Sequence, residues 1–437
     1  MQESYAQSVF MEQTTSPLNL RYNNTKYVDL AAEIHGLNIQ YSINNGVTDI
    51  LAGKRFTTDD ASNYAAYDFN ASNLNAKYDL NIGKLTLRPG VNYQSAIYSD
   101  LAYTGGENSG FLNGEKDLSN LGLFLRADFK PTDKLRFIAA VRNDSYNVPD
   151  DNYLTYQFIS TYSFNDKHLV RAVYSKANRG PFMIDSYSNY GFGSGAPTSP
   201  RIEYTGSESL NLPIINMVEV GYRGVLSSKL SLDIEVFHTT TTDITSFEPT
   251  FFGLDPDKGL FLHYEYVVLD LKAKQTGTTF SFNFAPSSKV QLKAYATIQQ
   301  TQLENYDKKL TPVTFNPSTF EFYLPTVERM NTTHKQTPSI YGGVTGNFRP
   351  VDKFNVFAGV YYLGTHTYRH DYASTDESKG QVEVPGRAVV NVKASYMVYK
   401  NSSVFINARN AFNSTASEMG FADEIGGLYL AGINLAF

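Results

Sequence analysis

The segment Lys229-Leu-Ser-Leu-Asp-Ile-Glu-Val-Phe-His238 alternates apolar and polar side chains with a period of two residues. Because successive side chains of a β-strand point to opposite faces, this period gives one strand an apolar face and a carboxylate-bearing face. Three further segments repeat the alternation, at 121–129, 290–298 and 388–398. Several of these runs exceed the roughly five or six residues of a typical globular strand, so the sequence predicts long strands.

Short segments with Asp, Asn or Ser, most of them ending in Lys, join the alternating runs directly and are typical of tight turns. They lie at 81–84, 131–134, 164–167, 226–229, 286–289, 350–353 and 400–403. The connections at the other strand ends are longer and rich in Gly, Ser, Tyr and Asp, at 99–117, 178–213, 243–262, 304–336 and 369–385. Fourteen strands flank the turns, and the segments 27–43 and 428–437 bring the expected number to about sixteen.

The composition excludes several classes of protein. Of 437 residues, 14% are aromatic and 18% are charged, the net charge is −6, and there is no cysteine. Disordered chains are poor in aromatic residues, and disulfide scaffolds and thiolate chemistry need cysteine. A membrane-spanning helix needs about 18 consecutive apolar residues, which the sequence lacks. No basic stripe is present, so we expect no nucleic-acid partner.

Long strands with one apolar and one polar face, tight turns at one end and long loops at the other, are the pattern of outer-membrane barrels. A polar lumen would explain the negative mean hydropathy of −0.32. Aromatic residues recur beside the tight turns, as in a membrane-interface girdle: Phe129, Tyr162, Phe284, Phe348, Phe354 and Tyr399. We therefore expect an all-β, antiparallel transmembrane β-barrel over residues 27–437, after a lead-in at the periplasmic side over residues 1–26.

The last predicted strand ends on an aromatic residue. The spacing of Gly432, Leu435 and Phe437 resembles the C-terminal signal by which the outer-membrane assembly machinery recognises barrels. This resemblance makes that machinery an expected partner.

Four segments resemble the C-terminal part of the barrel of TonB-dependent outer-membrane receptors. They follow the family's order: Tyr174-Ser-Lys-Ala-Asn-Arg-Gly-Pro-Phe182, Val218-Glu-Val-Gly-Tyr-Arg223, Arg409-Asn-Ala-Phe-Asn413 and Asp423-Glu-Ile-Gly-Gly-Leu-Tyr429. The resemblance covers about residues 120–437 by motif. One departure is Asn211-Leu-Pro-Ile-Ile-Asn216, which lacks the Glu that the family has after the Pro.

The resemblance implies a receptor of the Gram-negative outer membrane that takes up a metal chelate, an oligosaccharide or a peptide. It also implies a 22-stranded barrel, and a plug, not expected in this chain, that contacts the TonB energy-coupling complex. Further implied partners are outer-membrane lipid and a surface lipoprotein. Two alternatives stay open: a porin-like diffusion channel made by this chain alone, and a secreted all-β binding or adhesive module.

Neither catalysis nor a resident cofactor or metal is expected. The closest pair of histidines is His366 and His370. A strand rises about 3.3 Å per residue, so side chains four positions apart lie roughly 13 Å apart, too far to share a metal ion. Polar residues predicted to face the lumen are Glu219, Arg223, Asp233 and Glu235.

Aromatic residues in two long loops are the candidates for ligand binding. They stand among Gly and Ser, and their rings suit sugars, aromatic chelates or peptides: Tyr187, Tyr190, Phe192, Tyr204, Phe247, Phe251 and Phe252. The alternative is that these rings pack the loops on one another.

Overall fold

A computed structural model describes residues 2–7, 20–49, 66–103, 110–193, 195–196, 200–316, 318–319, 321–369, 381–400, 402–416 and 424–435. They form one short helix, α1 (Met183–Tyr187), and 28 strands. In chain order the strands are β1 (Gln2–Gln7), β2 (Leu20–Ile34), β3 (Leu37–Asp49), β4 (Ala66–Tyr78), β5 (Leu80–Ile82), β6 (Leu85–Ser99), β7 (Glu115–Phe129), β8 (Leu135–Asn147), β9 (Asp150–Asn165), β10 (His168–Asn178), β11 (Asn189–Phe192), β12 (Arg201–Thr205), β13 (Ile214–Ser227), β14 (Leu230–Thr242), β15 (Thr245–Asp255), β16 (Gly259–Val268), β17 (Lys272–Ser287), β18 (Val290–Lys309), β19 (Thr314–Asn316), β20 (Glu321–Tyr323), β21 (Val327–Thr333), β22 (Ile340–Val351), β23 (Phe354–Leu363), β24 (His366–Arg369), β25 (Gln381–Val384), β26 (Arg387–Tyr399), β27 (Ser402–Arg409) and β28 (Leu428–Leu435).

Twenty of these strands form one sheet, the main sheet. Except between β4 and β5 and between β21 and β22, each strand pairs antiparallel with the next main-sheet strand along the chain, from β1 to β28. Two positions are each filled by two strands, because β4 and β5 both pair with β6, and β21 and β22 both pair with β18. The described residues therefore supply 18 strand positions, twenty strands less two shared positions.

The sequence predicted about sixteen strands, and the difference lies at the N-terminus. The segment 27–43 is not one strand, because His35 and Gly36 adopt φ angles of 49° and 85° and turn the chain between β2 and β3. Two consecutive residues at positive φ are characteristic of tight hairpins. This turn lacks the Asp, Asn or Ser that marked the other turns, so the sequence did not predict it. The second additional strand is β1, which precedes the predicted ones.

The boundary expected at residue 27 falls inside β2. Backbone pairing of β2 with β3 already begins at Tyr22, and β1 pairs with β2 from Gln2 to Gln7. The role of residues 1–26 as a periplasmic lead-in stays a prediction.

The two faces of the main sheet confirm the alternation predicted from the sequence. On β7, the side chain of Leu123 is 57% exposed, whereas the neighbouring Asn120 is 7% exposed. Val220 on β13 is likewise 56% exposed, and Asp144 on β8 only 4%. Apolar side chains thus lie on the outer face and polar ones are covered on the inner face. This inverts the distribution of a soluble protein and matches a sheet with lipid outside and a polar lumen inside.

Tight turns occupy one end of the main sheet and long connections the other. Lysines of the turns join neighbouring hairpins: Lys84 Nζ donates to Pro131 O at 2.5 Å, and Lys289 Nζ donates to Pro350 O at 3.2 Å. The long connections carry short strand pairs of their own, such as β15–β16 and β19–β20. We call the two ends the turn end and the loop end.

A small apolar core lies at the loop end. Buried side chains from the 110–114 segment, β7, the β8–β9 turn and α1 pack together there: Phe111, Leu112, Leu118, Val148, Met183 and Tyr187. In the part of the chain that the structure describes, no helix has the length and apolar character needed to span a bilayer.

Candidate functional site

Two long connections meet at the loop end in a four-stranded sheet, the loop sheet, with the strand order β11-β12-β16-β15. The strands β11 and β12 belong to the connection between β10 and β13, and β15 and β16 to the connection between β14 and β17. The two hairpins join through the parallel pairing of β12 with β16. Backbone hydrogen bonds therefore hold together two loops that are separate connections in the chain.

One face of the loop sheet carries a stack of rings, the aromatic ladder: Tyr67, Phe111, Tyr190, Tyr204 and Tyr264. The centroid distances of successive rings are 6.4, 5.2, 5.2 and 4.9 Å, with interplanar angles of 15°, 24°, 15° and 11°. The register explains the order, since Tyr204 lies opposite Tyr190 on one side and Tyr264 on the other. The ladder connects β4, the 110–114 segment and both hairpins.

Two more rings meet the ladder at their edges. Phe247 makes an edge-to-face contact with Tyr204 at 5.3 Å and another with Tyr266 at 4.4 Å. Aromatic pairs in this geometry stabilise a fold by about 0.5–1.5 kcal/mol beyond the area they bury. The sequence prediction included Tyr190, Tyr204 and Phe247 of this assembly.

The sequence reasoning missed the other ring residues of this assembly. They are Tyr67, Phe111, Tyr264 and Tyr266. The segment 263–266 alternates tyrosine with His and Glu, which predicts a strand with an aromatic face. Its partner strand could not be inferred, because a parallel pairing between two loops leaves no local signal.

Tyr187 lies in the small core, which shares Phe111 with the ladder, and is not one of the stacked rings. Its side chain is 8% exposed, its hydroxyl donates to Asp117 O at 2.8 Å, and Lys116 Nζ lies 5.4 Å from its ring centroid. Burial, followed by the negative charge of Glu208, raises the pKa of Tyr187 to about 12. At this residue the ring packs the loops on one another.

The remaining aromatic candidates lie on different parts of the loops. Phe251, 43% exposed, is on the opposite face of the loop sheet and contacts Phe261 at 5.8 Å. Phe252 meets Phe322 of the β19–β20 hairpin edge-to-face at 5.2 Å. The backbone of Phe192 pairs with Ile202, and the side chain of Phe192 lies outside the description.

A buried carboxylate fastens the helix to the loop sheet. Asp185 of α1 is 5% exposed and accepts a hydrogen bond from Arg179 Nη2. It also hydrogen-bonds with Tyr266, whose pKa rises to about 12, first because of burial and then because of the charge of Asp185. Arg179 belongs to the Arg-Gly-Pro segment of the family resemblance. The arginine of this motif, just after β10, thus binds the carboxylate of α1.

The hydroxyls of two ladder residues, Tyr190 and Tyr204, are held in their protonated form. Burial raises the pKa of Tyr204 to about 12, with the neighbouring rings of Tyr264 and Tyr190 adding to the shift. Burial also raises the pKa of Tyr190. A protonated phenol donates a hydrogen bond, whereas a metal ion binds the phenolate, so these groups suit negatively charged or carbonyl oxygens of a ligand.

All four polar residues predicted to face the lumen gather around Arg171, in what we call the lumenal charge cluster. Arg171 Nε donates to Glu219 Oε1 at 2.9 Å, and Arg171 Nη2 donates to Glu235. Arg223 Nε donates to Asp233 Oδ2 at 2.6 Å. The cluster spans β10, β13 and β14, and its arginines carry two positive charges against three carboxylates.

Arg171 was missing from the sequence prediction, and a glycine makes its position possible. Gly221 lies opposite Arg171 in the register, between Glu219 and Arg223 on the same face. A Cβ at Gly221 would lie 3.0 Å from Arg171 Nε and 3.1 Å from Arg171 Cζ. The guanidinium crosses β13 to reach Glu235, and a Cβ at position 221 would crowd it by a few tenths of an ångström. The glycine of the Glu-x-Gly segment thus leaves room for Arg171.

A second inner-face network has the same design. Arg142 Nη2 donates to Asp144 Oδ1 at 2.6 Å and to Asn92 Oδ1 at 3.1 Å, and Asn120 Nδ2 donates to Asp144 Oδ1 at 2.7 Å. A Cβ at Gly122 would lie 2.3 Å from Arg142 Nη2. Asn120, Arg142 and Asp144 line an inner-face cleft of about 600 Å³.

The C-terminal signal is described in part. Gly432 pairs with Phe405, and a Cβ there would lie 2.6 Å from the Phe405 ring, so glycine lets that ring lie across β28. Leu435 pairs with Ser402, and Phe437 lies outside the described residues.

Metal-binding groups of the sequence are not brought together in the described ranges. His366 Nδ1 contacts Gly364 O at 3.3 Å, and His370 lies outside those ranges. Within the residues that the structure covers, no three side chains of His, Asp or Glu are grouped so as to hold a metal ion.

The family model described as TonB-dependent receptor-like β-barrel matches residues 4–411. This chain belongs to that family. Its main sheet is therefore the wall of a β-barrel whose relatives are receptors and transporters of the Gram-negative outer membrane rather than enzymes.

Solved structures share the fold at low sequence identity. A mutant of the ferric enterobactin receptor PfeA from Pseudomonas aeruginosa superposes with a TM-score of 0.72 and 12% identity, covering 95% of this chain and 61% of that one. The siderophore receptor PirA from Acinetobacter baumannii superposes with a TM-score of 0.69 and 13% identity, covering 95% of this chain and 62% of that one. The ferric-catecholate import receptor Fiu from E. coli superposes with a TM-score of 0.61 and 14% identity, covering 96% of this chain and 64% of that one.

The chain spans about three fifths of the length of these solved structures. A comparison with curated proteins finds no match.

Proposed function

We propose that this chain is the barrel wall and ligand-capturing loop region of a TonB-dependent receptor that takes up a metal chelate with aromatic groups. The observation that carries the proposal is the aromatic ladder at the loop end, where Tyr190, Tyr204 and Tyr264 stack across two joined loops. Oligosaccharides and peptides are the other substrate classes.

The chemistry of the ladder favours a chelate over a bare ion. Tyr190, Tyr204 and Tyr264 are half-buried. Burial raises the pKa of Tyr190 and raises that of Tyr204 to about 12, so both hydroxyls stay protonated hydrogen-bond donors. Aromatic chelates carry flat rings and negatively charged oxygens, which match half-buried rings and such donors. Receptors for ferric enterobactin and ferric catecholates share the fold, which supports the same substrate class.

The polar inner face supports a route for the chelate through the barrel. The lumenal charge cluster and the cleft beside Arg142 supply charged and amide groups along the wall. In this proposal the barrel sits in the outer membrane, is inserted by the assembly machinery, and works with a plug and TonB. Strands supplied from outside the chain complete a 22-stranded barrel, and a surface lipoprotein is a further partner.

Tyrosine fluorescence tests the proposal, because the chain has 32 Tyr and no Trp. Ferric catecholate chelates should quench the fluorescence of the full chain in detergent micelles, in a saturable way. Tyr204→Leu removes the ring between Tyr190 and Tyr264 and should weaken the apparent affinity at least tenfold, equivalent to about 1.4 kcal/mol. Tyr396→Leu, on the outer face, is the matched control and should bind like the wild type.

Two outcomes would overturn the proposal. One is quenching that never saturates with any ferric chelate, together with a steady ionic conductance of the full chain in planar bilayers, which would indicate a porin-like channel. The other is an equal loss of affinity in Tyr204→Leu and Tyr396→Leu, which would show that the chelate does not bind at the ladder.

A further inference from the structure

Asp100 is a fully buried carboxylate at the loop end, directly after β6. The residue is 0% exposed, and its side chain accepts hydrogen bonds from backbone N–H groups rather than from an arginine or a lysine. A carboxylate buried away from water is stable only when such bonds compensate its charge. The backbone that supplies them is therefore tied to Asp100.

Three consecutive amides surround the carboxylate, in what we call the carboxylate nest. Leu112 N donates to Asp100 Oδ2 at 2.8 Å, and Asn113 N donates to the same oxygen at 3.0 Å. Gly114 N donates to Asp100 Oδ1 at 2.8 Å. Asn113 and Gly114 have φ angles of 54° and 123°, and turns of this kind direct successive N–H groups at one anion. The nest closes the connection between β6 and β7 on the end of β6.

The segment held by the nest carries one ring of the aromatic ladder. Phe111, the residue before the nest, is 7% exposed. Its ring stacks on Tyr67 at 6.4 Å and on Tyr190 at 5.2 Å. Because Phe111 is joined directly to the first amide of the nest, the place of its ring depends on where Asp100 holds the backbone.

The same segment is bonded to the loop sheet. Asn189 N, at the start of β11, donates to Phe111 O at 3.0 Å, and Asn113 Nδ2 donates to Asn189 O at 2.9 Å. The next residue, Tyr190, is a ring of the ladder. The connection between β6 and β7 is thus a third loop joined to the loop sheet, and Asp100 ties that loop to a strand of the barrel wall.

We propose that Asp100 is a positioning residue for ligand capture. Its carboxylate holds the 110–114 segment so that Phe111 completes the ladder and the ladder is fixed to the end of β6. The role rests on the proposed function, since it affects uptake only if the ladder binds the chelate. Asp100 itself is fully buried and contacts backbone amides, so it acts through Phe111 rather than by touching the ligand.

Hydrogen–deuterium exchange of the full chain in detergent micelles tests the nest without any chelate. In Asp100→Ala the amides of Leu112, Asn113 and Gly114 lose their acceptor and should exchange at least about tenfold faster. Formate is a free carboxylate group and should restore slow exchange, whereas chloride at the same ionic strength should not. Unchanged exchange in Asp100→Ala, or formate acting no better than chloride, would overturn the nest.

Asp100→Asn is the isosteric variant and carries the test if Asp100→Ala does not fold, which heat-dependent migration on a gel checks. The amide oxygen of the new side chain can still accept from Leu112 N and Asn113 N, but its NH₂ group cannot accept from Gly114 N. Faster exchange should then be confined to Gly114. Equal exchange at all three amides in wild type and Asp100→Asn would contradict the assignment.

Quenching of tyrosine fluorescence by a ferric catecholate chelate tests the positioning role. Asp100→Ala should weaken the apparent affinity at least about fivefold, and formate should restore it, which a general loss of stability would not predict. Asp257→Asn removes an exposed carboxylate at the same end and should bind like the wild type.

Two results separate this role from the proposed function. Wild-type affinity in Asp100→Ala, together with fast exchange of the nest amides, would overturn the positioning role and leave the proposed function intact. A wild-type chain that binds no ferric chelate would overturn both, while the exchange experiment would still decide whether Asp100 holds the segment.

Discussion

Two glycines of the inner face allow an arginine to lie flat across a strand. Gly221 gives room to Arg171, and Gly122 gives room to Arg142. Arg171 then reaches Glu235, two strands away on β14, and Arg142 reaches Asp144 on its own strand. The residue that determines the geometry is thus the one without a side chain, because a Cβ would occupy the space of the guanidinium.

Gly122→Ala tests this design. Its Cβ would lie 2.3 Å from Arg142 Nη2 and 2.8 Å from Asp144 Oδ1, so the guanidinium end must shift. We expect it to lose hydrogen bonds to Asp144, which is only 4% exposed. Losing hydrogen bonds to a buried charge should lower the free energy of unfolding by about 1–3 kcal/mol. The urea midpoint of the chain in detergent micelles measures the change.

The matched control is Gly180→Ala. At Gly180 the nearest atom to a new Cβ is Tyr146 Oη at 3.7 Å, which is ordinary contact. Equal midpoints for Gly122→Ala and Gly180→Ala would mean that Arg142 finds another partner without loss.

The loop tyrosines predict a loss of stability at alkaline pH. Folding raises the pKa of Tyr204 and of Tyr266 to about 12, mainly by burial. A raised pKa favours the protonated form in the folded state, so this contribution is complete below a pH of about 10 and is lost between about 10 and 12.

Tyrosinate absorbance measures this titration. The difference between wild type and Tyr204→Phe should show one tyrosine that titrates near a pH of about 12. In denaturant the same difference should move to about 10, the value of a solvated tyrosine. A folded-state difference centred at about 10 would show that Tyr204 is solvated.

At the scale of the elements, the loop sheet converts two separate loops into one unit. The parallel pairing of β12 with β16 and the stack of Tyr190, Tyr204 and Tyr264 both cross the junction. Tyr190 and Tyr204 belong to one connection, and Tyr264 of the other connection stacks on Tyr204. The loops should therefore open together rather than one at a time.

Limited proteolysis tests this coupling. Tyr204→Leu removes the central ring of the junction and should speed cleavage in both connections, 179–213 and 243–271, by about threefold or more, since each stacked pair contributes about 0.5–1.5 kcal/mol. Phe251→Leu alters the opposite face of the loop sheet and should leave the cleavage of 179–213 unchanged. Faster cleavage in only one connection would argue against a coupled unit.

At the scale of the whole molecule, the main sheet exposes its apolar residues and covers its polar ones. Leu123 and Val220 are more than half exposed, while Asn120 and Asp144 are buried. Such a sheet is stable only with lipid on the outer face. The chain should accordingly need detergent to stay in solution, and it should migrate differently on a gel before and after heating.

Paired arginine substitutions test which face meets lipid. Leu123→Arg places a charge in the apolar outer face, where near the bilayer centre it costs about 2–4 kcal/mol. Gln94→Arg places the same charge on the polar inner face of β6 and should cost almost nothing. The folded fraction after refolding into lipid vesicles, read from heat-dependent migration, compares the two. Equal folded fractions, or a chain that stays soluble without detergent, would favour a secreted module.

The sequence by itself determined the strands, their faces and the turn end. Alternation is a local property, so the apolar and polar faces of β7 and β14 follow from side-chain order alone. The turn segments likewise predict hairpins from local turn chemistry. The hairpin at His35 and Gly36 was not predicted, because the turn residues with positive φ angles are not accompanied by Asp, Asn or Ser. The four motif segments also predicted the family, which the family model confirms.

Only the tertiary structure decided which side chains meet. Tyr204 and Tyr264 are far apart in the chain and contact through a parallel pairing of two loops, which no local pattern specifies. The position of Arg171 over Gly221 depends on the register of β10 and β13. The carboxylate of Asp100 meets its three amide partners only when the 110–114 segment packs on the end of β6. Local order fixes the faces of the strands, whereas partners depend on register and loop packing, which are properties of the whole chain.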